Sequence, residues 1–235
     1  VADVKSLEIV GAAYLSQDRV LCGEVRDKID FHELNQKRFN LPSRTIAKIF
    51  KFKLIYGATA WGYAHDSDFI AISRDKTYWQ GIIDEYYQKY RGMQQWHQRL
   101  LDGALQNGRY VSPSGRVYTY PSVEVAAKLW YWRPKILNYP VQGLGADLVM
   151  IARISVWNRI RNQGLMACLP VSSVHDSLIF DMPVEMCYTI GKLVRQAVRD
   201  VPENFSQLFD IEFNLPLDAS IKIGKNLKEM EVIEC

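Results

Sequence analysis

The 235-residue chain has few of the features that mark secreted, membrane or cysteine-ligated metal proteins. Its four cysteines form no C-x-x-C pair and have no histidine partner nearby, so we interpret them as reduced thiols of an intracellular protein. No apolar run reaches the about 18 residues that a membrane span needs, and no cleavable signal precedes the first motif. We therefore expect no membrane partner.

Internal repeats, low-complexity tracts and a strong overall charge are also lacking, since the net charge is only +3. A chain of this length, with 48% hydrophobic and 23% charged residues, can form one or two ordinary globular domains. Its positive charge is concentrated locally, in Lys37, Arg38, Arg44, Lys48, Lys51 and Lys53. This basic cluster predicts a local field suited to phosphate groups.

The most informative segment is a helix predicted within Arg44–Gly57, RTIAKIFKFKLIYG, for which Ser43 is a suitable N-cap. Side chains four residues apart advance only about 40° around a helix axis. One strip of its surface therefore carries two cations followed by two rings, and we call it the cation–aromatic strip: Arg44, Lys48, Phe52 and Tyr56. The opposite face is apolar, with Ile46, Ala47, Phe50 and Leu54. The strip indicates a nucleotide-binding surface, with cations for phosphates and rings for a base.

The remaining pattern predicts an α+β fold, a small antiparallel sheet backed by helices with a mainly helical insertion. A strand should run into a helix within residues 1–15, and a strand should return within Ile211–Lys225. Turn residues predict hairpins in Gly108–Tyr120 and around His175-Asp176-Ser177. Further helices are expected in Asp30–Leu41, 76–107, Val141–Ile160 and Val184–Val201.

Asp3, at the start of the first strand, and Asp176, at the tip of the second hairpin, are the candidate metal ligands. Phosphoryl transfer from a nucleoside triphosphate uses two divalent cations about 4 Å apart, and hard cations prefer carboxylate oxygens. Two aspartates from different strands can converge on such ions.

Three motifs, in consistent order and spacing, resemble those of family A (Pol I-like) DNA polymerases, including phage-type members. The segment DVKSLEIVGAAYLSQD from Asp3 resembles the first palm motif, R-x3-K-x3-F-x3-Y-G resembles the fingers helix, and Val174-His175-Asp176 resembles the second palm hairpin. Other similar elements are Asp30-Phe31-His32, Gly115-Arg116, Asn138–Gly143 followed by Ala146-Asp147, and Leu215–Asp218 through Gly224. The resemblance covers essentially the whole chain.

The resemblance implies a polymerase palm formed by residues 1–25 and 119–235, with fingers formed by residues 26–118. Thumb and exonuclease domains are not found in this chain. We therefore expect a fragment of a longer polymerase or one subunit of a split one, with an upstream thumb or exonuclease segment, or a separate chain, as partner. The implied activity is template-directed addition of dNTPs to primer–template DNA with two Mg²⁺ ions, which Mn²⁺ can replace. The implied location is the cytoplasm of a bacterium or a phage-infected cell, with an organelle as the alternative.

Residue roles at the nucleotide also follow from the resemblance. Asp3 and Asp176 hold both metals, helped by the carbonyl of Val4. The triphosphate is gripped by Arg44, Lys48 and His32, and Lys48 also protonates the departing pyrophosphate.

Three further residues complete the implied nucleotide pocket. Phe52 packs on the sugar and base of the incoming nucleotide, Tyr56 stacks near the templating position, and Glu8 lies under the sugar and excludes a 2′-hydroxyl. The implied DNA contacts are Gly57, which leaves room for the template to bend, Arg116 near the template, His175 at the primer terminus, and Asn138 and Gln142 at minor-groove acceptors common to all correct pairs.

Two positions depart from the family pattern. Ser177 replaces the glutamate that usually follows V-H-D, and Pro134 replaces an arginine that is frequent there. Single-subunit phage-type RNA polymerases carry H-D-S and share R-x3-K-x7-Y-G, so an RNA polymerase is the alternative enzyme. Glu8 opposes it, because those enzymes have a small residue at that position, and Phe52 also favours the DNA enzyme. A non-catalytic DNA-binding subunit of a replication complex is the alternative of another class.

Overall fold

The computed structural model describes residues 1–123 and 126–235. The helices and strands follow one another along the chain as β1 (Ala2–Val4), α1 (Leu7–Ser16), α2 (Arg19–Arg26), α3 (Phe31–Arg38), α4 (Arg44–Ile55), α5 (Ala60–His65), α6 (Lys76–Lys89), α7 (Arg91–Asn107), β2 (Arg109–Val111), β3 (Val117–Thr119), α8 (Ala126–Asn162), β4 (Leu169–Val174), β5 (Ser177–Asp181), a 3-10 turn (Val184–Met186), α9 (Cys187–Arg199), α10 (Val201–Phe209), β6 (Ala219–Gly224) and β7 (Met230–Ile233).

The chain divides into two compact units, Val1–Gly11 with Gln142–Cys235, and Ala12–Val141. The first unit contains a five-stranded sheet in the order β4-β5-β1-β6-β7, in which every neighbouring pair is antiparallel. Because β1 lies at the centre, it pairs on one side with β5, through Ala2 and Asp3, and on the other side with β6, through all three residues.

Helix α9 covers this sheet with a stripe of buried side chains at helical spacing: Ile190, Leu193, Val194, Ala197 and Val198. The stripe packs against β6 and β1. A Cβ atom added at Gly191 would lie 3.2 Å from both Ile221 Cγ2 and Cys235 Sγ, so a glycine allows the helix to approach the sheet closely.

The second unit is mainly helical and has an aromatic core. Phe50, Tyr63, Phe69 and Trp79 are fully buried, and ring centroids lie 4.8 Å apart for Phe50–Tyr63 and 5.3 Å for Tyr63–Trp79. Tyr63 satisfies its hydroxyl by donating to the Phe50 carbonyl at 2.7 Å. Tyr86, Tyr90 and Trp96 are also buried, so most aromatic residues of 76–107 serve packing.

Buried Asp18 caps two helices in this unit. Its Oδ1 accepts from the N–H of Leu21 in α2, and its Oδ2 accepts from the N–H groups of Gly92 and Met93 in α7. A Cβ at Gly92 would lie 2.7 Å from Asp18 Cα, so the second cap requires glycine. The capping satisfies amide groups that α7 leaves open, since Tyr90 provides no side-chain cap.

Much of the predicted secondary structure is confirmed. The strand-to-helix start, both hairpins and α4 with its Ser43 cap, which accepts from Ile46 N at 3.2 Å, are all present. The helix predicted over 76–107 is instead two helices, because the backbone leaves the helical region at Tyr90. Val184–Val201 likewise holds a 3-10 turn, α9 and the first residue of α10.

Helix α8 differs most from the sequence prediction, since it begins at Ala126 rather than Val141 and runs through Pro134 and Pro140. Each internal proline removes a backbone hydrogen bond and usually breaks a helix. Here apolar side chains next to Pro140, such as Ile136, Leu137 and Val141, are completely buried, and their burial offsets that cost.

No helix in the described part of the chain combines the length and apolar character needed to cross a membrane. The two compact units meet in sequence at residues 11/12 and 141/142. The palm and fingers boundaries at 25/26 and 118/119 are functional divisions and stay a prediction.

Candidate functional site

The predicted site residues fall into two groups, one in each compact unit. In the helical unit, the cation–aromatic strip lies along α4 as expected: Arg44 and Lys48 are exposed, and Phe52 and Tyr56 are half-buried. The opposite face is buried through Ala47, Phe50 and Leu54, whereas Ile46 is half-exposed.

Arg44 is held by Asp30, the N-cap of α3. One carboxylate oxygen, Asp30 Oδ2, accepts from Arg44 Nε at 3.1 Å and from Nη2 at 2.9 Å. The other, Oδ1, accepts from the N–H groups of His32 and Glu33. Burial alone would raise the pKa of Asp30, but these hydrogen bonds and the Arg44 charge lower it below its usual range. Asp30 is therefore ionised and can hold Arg44 at neutral pH.

Phe52 lies between a lysine and a histidine. Its ring centroid is 5.8 Å from Lys48 Nζ and 5.9 Å from the His32 ring. Burial, reinforced by the charges of Lys51, Arg44 and Lys48, lowers the pKa of His32 to about 4. His32 is thus a neutral imidazole at neutral pH, and its buried Nδ1 has no hydrogen-bond partner among the described residues.

The basic cluster predicted from sequence is largely neutralised by ion pairs. Lys37 pairs with Glu33, Arg38 with Glu85, Arg44 with Asp30, and Lys53 with Asp66 and Asp68. Within residues 1–123 and 126–235, Lys48 makes no ion pair. The field available to a phosphate therefore comes mainly from Lys48 and from Arg44 once it leaves Asp30.

Lys51 was expected to belong to that field, and this expectation is wrong. Its side chain is completely buried, with Nζ 4.0 Å from the Phe31 ring centroid and 5.8 Å from that of Tyr90. No hydrogen-bond partner for Nζ exists in the described residues. Burial lowers the pKa of Lys51 to about 7, with Glu24 opposing and Lys89 adding to the shift.

The predicted template-side residues lie in α4, α8 and the β2–β3 hairpin. Gly57 has φ +83°, and a Cβ there would lie 2.5 Å from Leu137 Cδ1, so conformation and packing both require glycine. Arg116 is exposed after Gly115 in the hairpin turn, and its N–H donates to Ser112 Oγ at 3.0 Å. Asn138 is half-buried on α8, four residues before Gln142.

The sheet unit holds the two candidate metal ligands, which we call the carboxylate pair: Asp3 and Asp176. Asp3 lies opposite Ser177 in the β1–β5 ladder, and the next residue, Val4, donates its N–H to the Asp176 carbonyl at 3.0 Å. Ser177 Oγ donates to Asp3 Oδ2 at 3.2 Å. The ladder thus brings both half-buried aspartates to the same end of neighbouring strands.

The donor chemistry of the carboxylate pair suits Mg²⁺, which prefers a few carboxylate oxygens and completes its shell with water and phosphate. In the described ranges, no three His, Cys, Asp or Glu side chains form a ready metal cluster. The carboxylates that the β1–β5 ladder would offer to a metal are those of Asp3 and Asp176, and a serine follows at position 177.

Glu8 and Gln142 are brought together, although 134 positions separate them. Gln142 Nε2 donates to Glu8 Oε1 at 3.4 Å, which orients the carboxylate of Glu8. His175 is exposed in the β4–β5 turn and has φ +54°, a left-handed conformation. The contact between Gln142 and Glu8 therefore links a residue predicted to lie at the minor groove with one predicted to lie at the sugar.

A third carboxylate in the sheet unit, Asp218, is committed to cations. Arg195 donates to both of its oxygens at 2.9 Å, and Lys5 and Arg199 also bind it. Burial alone would raise its pKa, but hydrogen bonds from Arg195 and Lys5 hold the pKa of Asp218 well below its usual range. This network ties the end of β1 to α9 and is structural.

Sequence reasoning missed three partners: Asp30 for Arg44, Ser177 for Asp3, and Gln142 for Glu8. Each belongs to a quoted motif, but its contact links side chains 14 to 174 positions apart, for which no local periodicity gives a signal.

A sequence model of the family described as DNA polymerase family A matches residues 1–229. DNA polymerase I of Treponema pallidum is 31% identical over a match that covers 96% of this chain and 22% of the relative. DNA polymerase I of Chloroflexus aurantiacus is 26% identical over a match that covers 97% of this chain and 24% of the relative. DNA polymerase I of Thermus aquaticus is 24% identical over a match that covers 95% of this chain and 26% of the relative. The chain spans about a quarter of the length of these relatives.

A solved structure described as the POL domain of Pol1 from M. smegmatis in complex with DNA primer-template and dNTP superposes with a TM-score of 0.81. The match covers 96% of this chain and 39% of that one, at 22% identity. This likeness establishes the mixed fold, with its small antiparallel sheet and helical unit.

Proposed function

Because the chain belongs to DNA polymerase family A, we propose that it adds dNTPs to the 3′ end of a primer under the direction of a template strand. The observation that carries the proposal is the carboxylate pair, held on neighbouring strands by the β1–β5 ladder. The solved relative of this fold is described with primer-template and dNTP, which supports the same ligand classes here.

Asp3 and Asp176 would hold divalent metal ions, Mg²⁺ or in its place Mn²⁺, with the carbonyl of Val4 as a further ligand. When bound, such ions activate the attacking 3′-oxygen and stabilise charge on the phosphates. The Ser177 hydroxyl keeps one Asp3 oxygen oriented, and no third carboxylate is required.

On α4, Arg44 exchanges its Asp30 contact for the outer phosphates of the dNTP. Lys48 approaches the same phosphates and donates a proton to the departing pyrophosphate, as a general acid. His32 donates a hydrogen bond to the triphosphate as a neutral imidazole, and the added negative charge raises its pKa. Phe52 packs against the sugar and base.

Selection of deoxynucleotides is assigned to Glu8, whose carboxylate is oriented by Gln142 and leaves no room for a 2′-hydroxyl. Tyr56 completes the nucleotide pocket by stacking near the templating position, and the DNA contacts are assigned to Gly57, Arg116, His175, Asn138 and Gln142. Groove acceptors shared by all correct pairs report pair shape rather than sequence.

Primer extension by Asp176→Asn tests the proposal. Loss of one carboxylate should reduce Mg²⁺-dependent extension at least about a hundredfold, because charge stabilisation at the reacting phosphate is lost. Asp181→Asn is the matched control, since Asp181 is an exposed aspartate at the far end of β5 and should retain full activity.

The same assay separates the alternatives. His175-Asp176-Ser177 is the element that single-subunit RNA polymerases share, and such an enzyme would extend primers efficiently with rNTPs. The DNA assignment expects that dNTPs are used and rNTPs are rejected. A non-catalytic DNA-binding subunit would bind primer–template without extending it. Activity of Asp176→Asn within about tenfold of the unaltered chain would overturn the metal assignment.

A further inference from the structure

The last turn of α4, which leads into Tyr56 and Gly57, leaves one carbonyl group without a backbone partner. Three of its final carbonyl groups accept from N–H groups that follow the helix: those of Phe52, Lys53 and Leu54. Within residues 1–123 and 126–235, no backbone N–H donates to the carbonyl of Ile55, the last helical residue. Ile55 is completely buried, so a neighbouring side chain has to satisfy this acceptor.

His97, a buried residue of α7, makes a polar contact with the Ile55 backbone. Its Nδ1 lies 2.9 Å from the hydroxyl of Tyr87 on α6. Its Nε2 is buried and completes no hydrogen bond of standard geometry in the described part of the chain. Burial and the charge of Arg133 lower the pKa of His97 to about 3, although the contact with the Ile55 backbone opposes this shift. The imidazole is therefore neutral at neutral pH.

The two neighbours of the His97 ring favour one position for its proton. A neutral imidazole has one N–H donor and one nitrogen acceptor. If Nδ1 accepts from the Tyr87 hydroxyl, Nε2 carries the proton and can donate to the Ile55 carbonyl. The other tautomer would place two acceptors, Nε2 and the carbonyl oxygen, against each other. The surroundings therefore select the Nε2–H tautomer.

Arg133, on α8, lies beside the residue that follows this turn. A Cβ atom at Gly57 would be 3.5 Å from Arg133 Nη1, which is buried and has no hydrogen-bond partner among the described residues. The charge of Arg133 lowers the pKa of His97 and limits the rise that burial causes in the pKa of Tyr87. Helices α6, α7 and α8 thus each contribute one side chain to a cluster behind the end of α4, and the cation keeps the imidazole neutral.

We infer that His97 is a positioning residue for Tyr56 and Gly57: its Nε2–H donates to the Ile55 carbonyl, and Tyr87 keeps the proton on that nitrogen. The end of α4 then holds one geometry when a templating base meets the Tyr56 ring. The inference rests on the proposed function for the role of Tyr56, whereas the position of the His97 proton is a property of the chain alone. Simple packing of the His97 ring is the competing explanation.

Tyr63 provides a matched control, because its hydroxyl also binds a carbonyl group of α4. It donates to the Phe50 carbonyl at 2.7 Å, in the middle of the helix rather than in its last turn. Tyr63→Phe and Tyr87→Phe remove the same oxygen atom from a tyrosine. The two variants therefore differ in which part of α4 loses its support.

The first experiment locates the proton of His97 in the chain alone, without DNA, metal ion or nucleotide. Nitrogen NMR of isotope-labelled histidine side chains distinguishes the two neutral tautomers, and the His97 signals are those missing from His97→Gln. His97 should be the Nε2–H tautomer at neutral pH. Tyr87→Phe should shift its Nδ1 signal, and Tyr63→Phe should leave both signals unchanged. A proton on Nδ1, or an even mixture of tautomers, would overturn the inference.

The second experiment measures single-nucleotide extension with a matched and a mismatched dNTP. A loosened end of α4 should weaken the choice between them, because Tyr56 no longer meets the templating base in one geometry. His97→Leu should lower the ratio of the two kcat/KM values about tenfold, the scale of one buried hydrogen bond, and leave kcat for the matched dNTP within about twofold. His97→Gln, which keeps a side-chain N–H donor, should recover most of the ratio.

Tyr87→Phe should lower the same ratio about threefold, because the Nε2–H tautomer loses one of its two supports, and Tyr63→Phe should leave it unchanged. The inference is overturned if His97→Leu retains the ratio within about twofold, or if Tyr63→Phe lowers it as much as Tyr87→Phe. If the unaltered chain extends no primer, the proposed function fails, and the tautomer of His97 decides this inference. Circular dichroism verifies the fold of each variant.

Discussion

Asp3 and Asp176 are held by backbone hydrogen bonds between neighbouring strands, whereas Arg44 is held by a side-chain ion pair with Asp30. The first arrangement forms with the sheet and does not depend on a neighbouring side chain. The second can be exchanged for another anion without disturbing any helix. Under the proposed function, the ladder therefore fixes the carboxylate pair, which would hold the metal ions, whereas Arg44, which would bind the phosphates, is held by a contact that a ligand could replace.

The largest expected effect concerns Lys51, which lies on the same helix as the cation–aromatic strip, is completely buried, and has no hydrogen-bond partner for Nζ among the described residues. The folded-state pKa of Lys51, about 7, is below its ordinary value of 10.5, so the unfolded chain binds the extra proton between these pH values. The Lys51 contribution to stability is therefore complete above about pH 10.5 and is lost as pH falls to about 7.

Lys51→Met should raise the free energy of unfolding by several kcal/mol near pH 7, because a desolvated ammonium is removed. Loss of the cation–π contact between Lys51 Nζ and the Phe31 ring reduces this gain. The gain should shrink as pH rises toward 10.5. Urea unfolding at several pH values measures it, with Lys48→Met as the control: the same substitution on the same helix at an exposed position. A gain independent of pH would show that Lys51 is not desolvated.

The features predicted from sequence are those encoded by local patterns. Ser43 as a cap, the strip on α4 and the hairpin around His175-Asp176-Ser177 each depend on a few neighbouring residues. The burial of Lys51 was missed because a lysine was taken as a surface charge, yet its position four residues after Ala47 and three before Leu54 lies within the buried stripe of α4. That spacing was the available signal.

The course of α8 and the ion pair of Asp30 could not be predicted in this way. Pro134 and Pro140 oppose a helix locally, and only the burial of residues around them, a property of the folded unit, overrides that preference. Asp30 and Arg44 belong to two helices whose packing fixes the contact. The carboxylate pair was predicted by resemblance, and its register became visible only in the assembled sheet.

Asp30 caps α3 and also binds Arg44, and the substitution Asp30→Asn separates these two roles. It tests whether the contact between Asp30 and Arg44 can be replaced by a ligand. Asparagine retains an Oδ1 that can cap α3 but offers no second carboxylate oxygen to Arg44. Release of Arg44 should lower the KM for dNTP about two- to fivefold at constant kcat, the scale of an exposed ion pair. Steady-state extension measures this.

Glu33→Gln is the control, because it removes the same charge from α3 and breaks only the ion pair with Lys37. It should leave KM unchanged. A rise in KM for Asp30→Asn would mean that Asp30 aims Arg44 toward the nucleotide rather than withholding it.

Ser177→Ala should have the smallest effect and tests the backbone side of the comparison. The hydroxyl makes one hydrogen bond of 3.2 Å to Asp3, and such a bond contributes at the weak end of the usual range. If the ladder fixes Asp3, the Mg²⁺ concentration for half-maximal extension should change by no more than about twofold. Ser173→Ala, at an exposed serine of β4, controls for the loss of a hydroxyl near the hairpin. A shift of tenfold or more confined to Ser177→Ala would mean that a side chain, not the β1–β5 register, orients the carboxylate pair, and the contrast with Arg44 would then disappear.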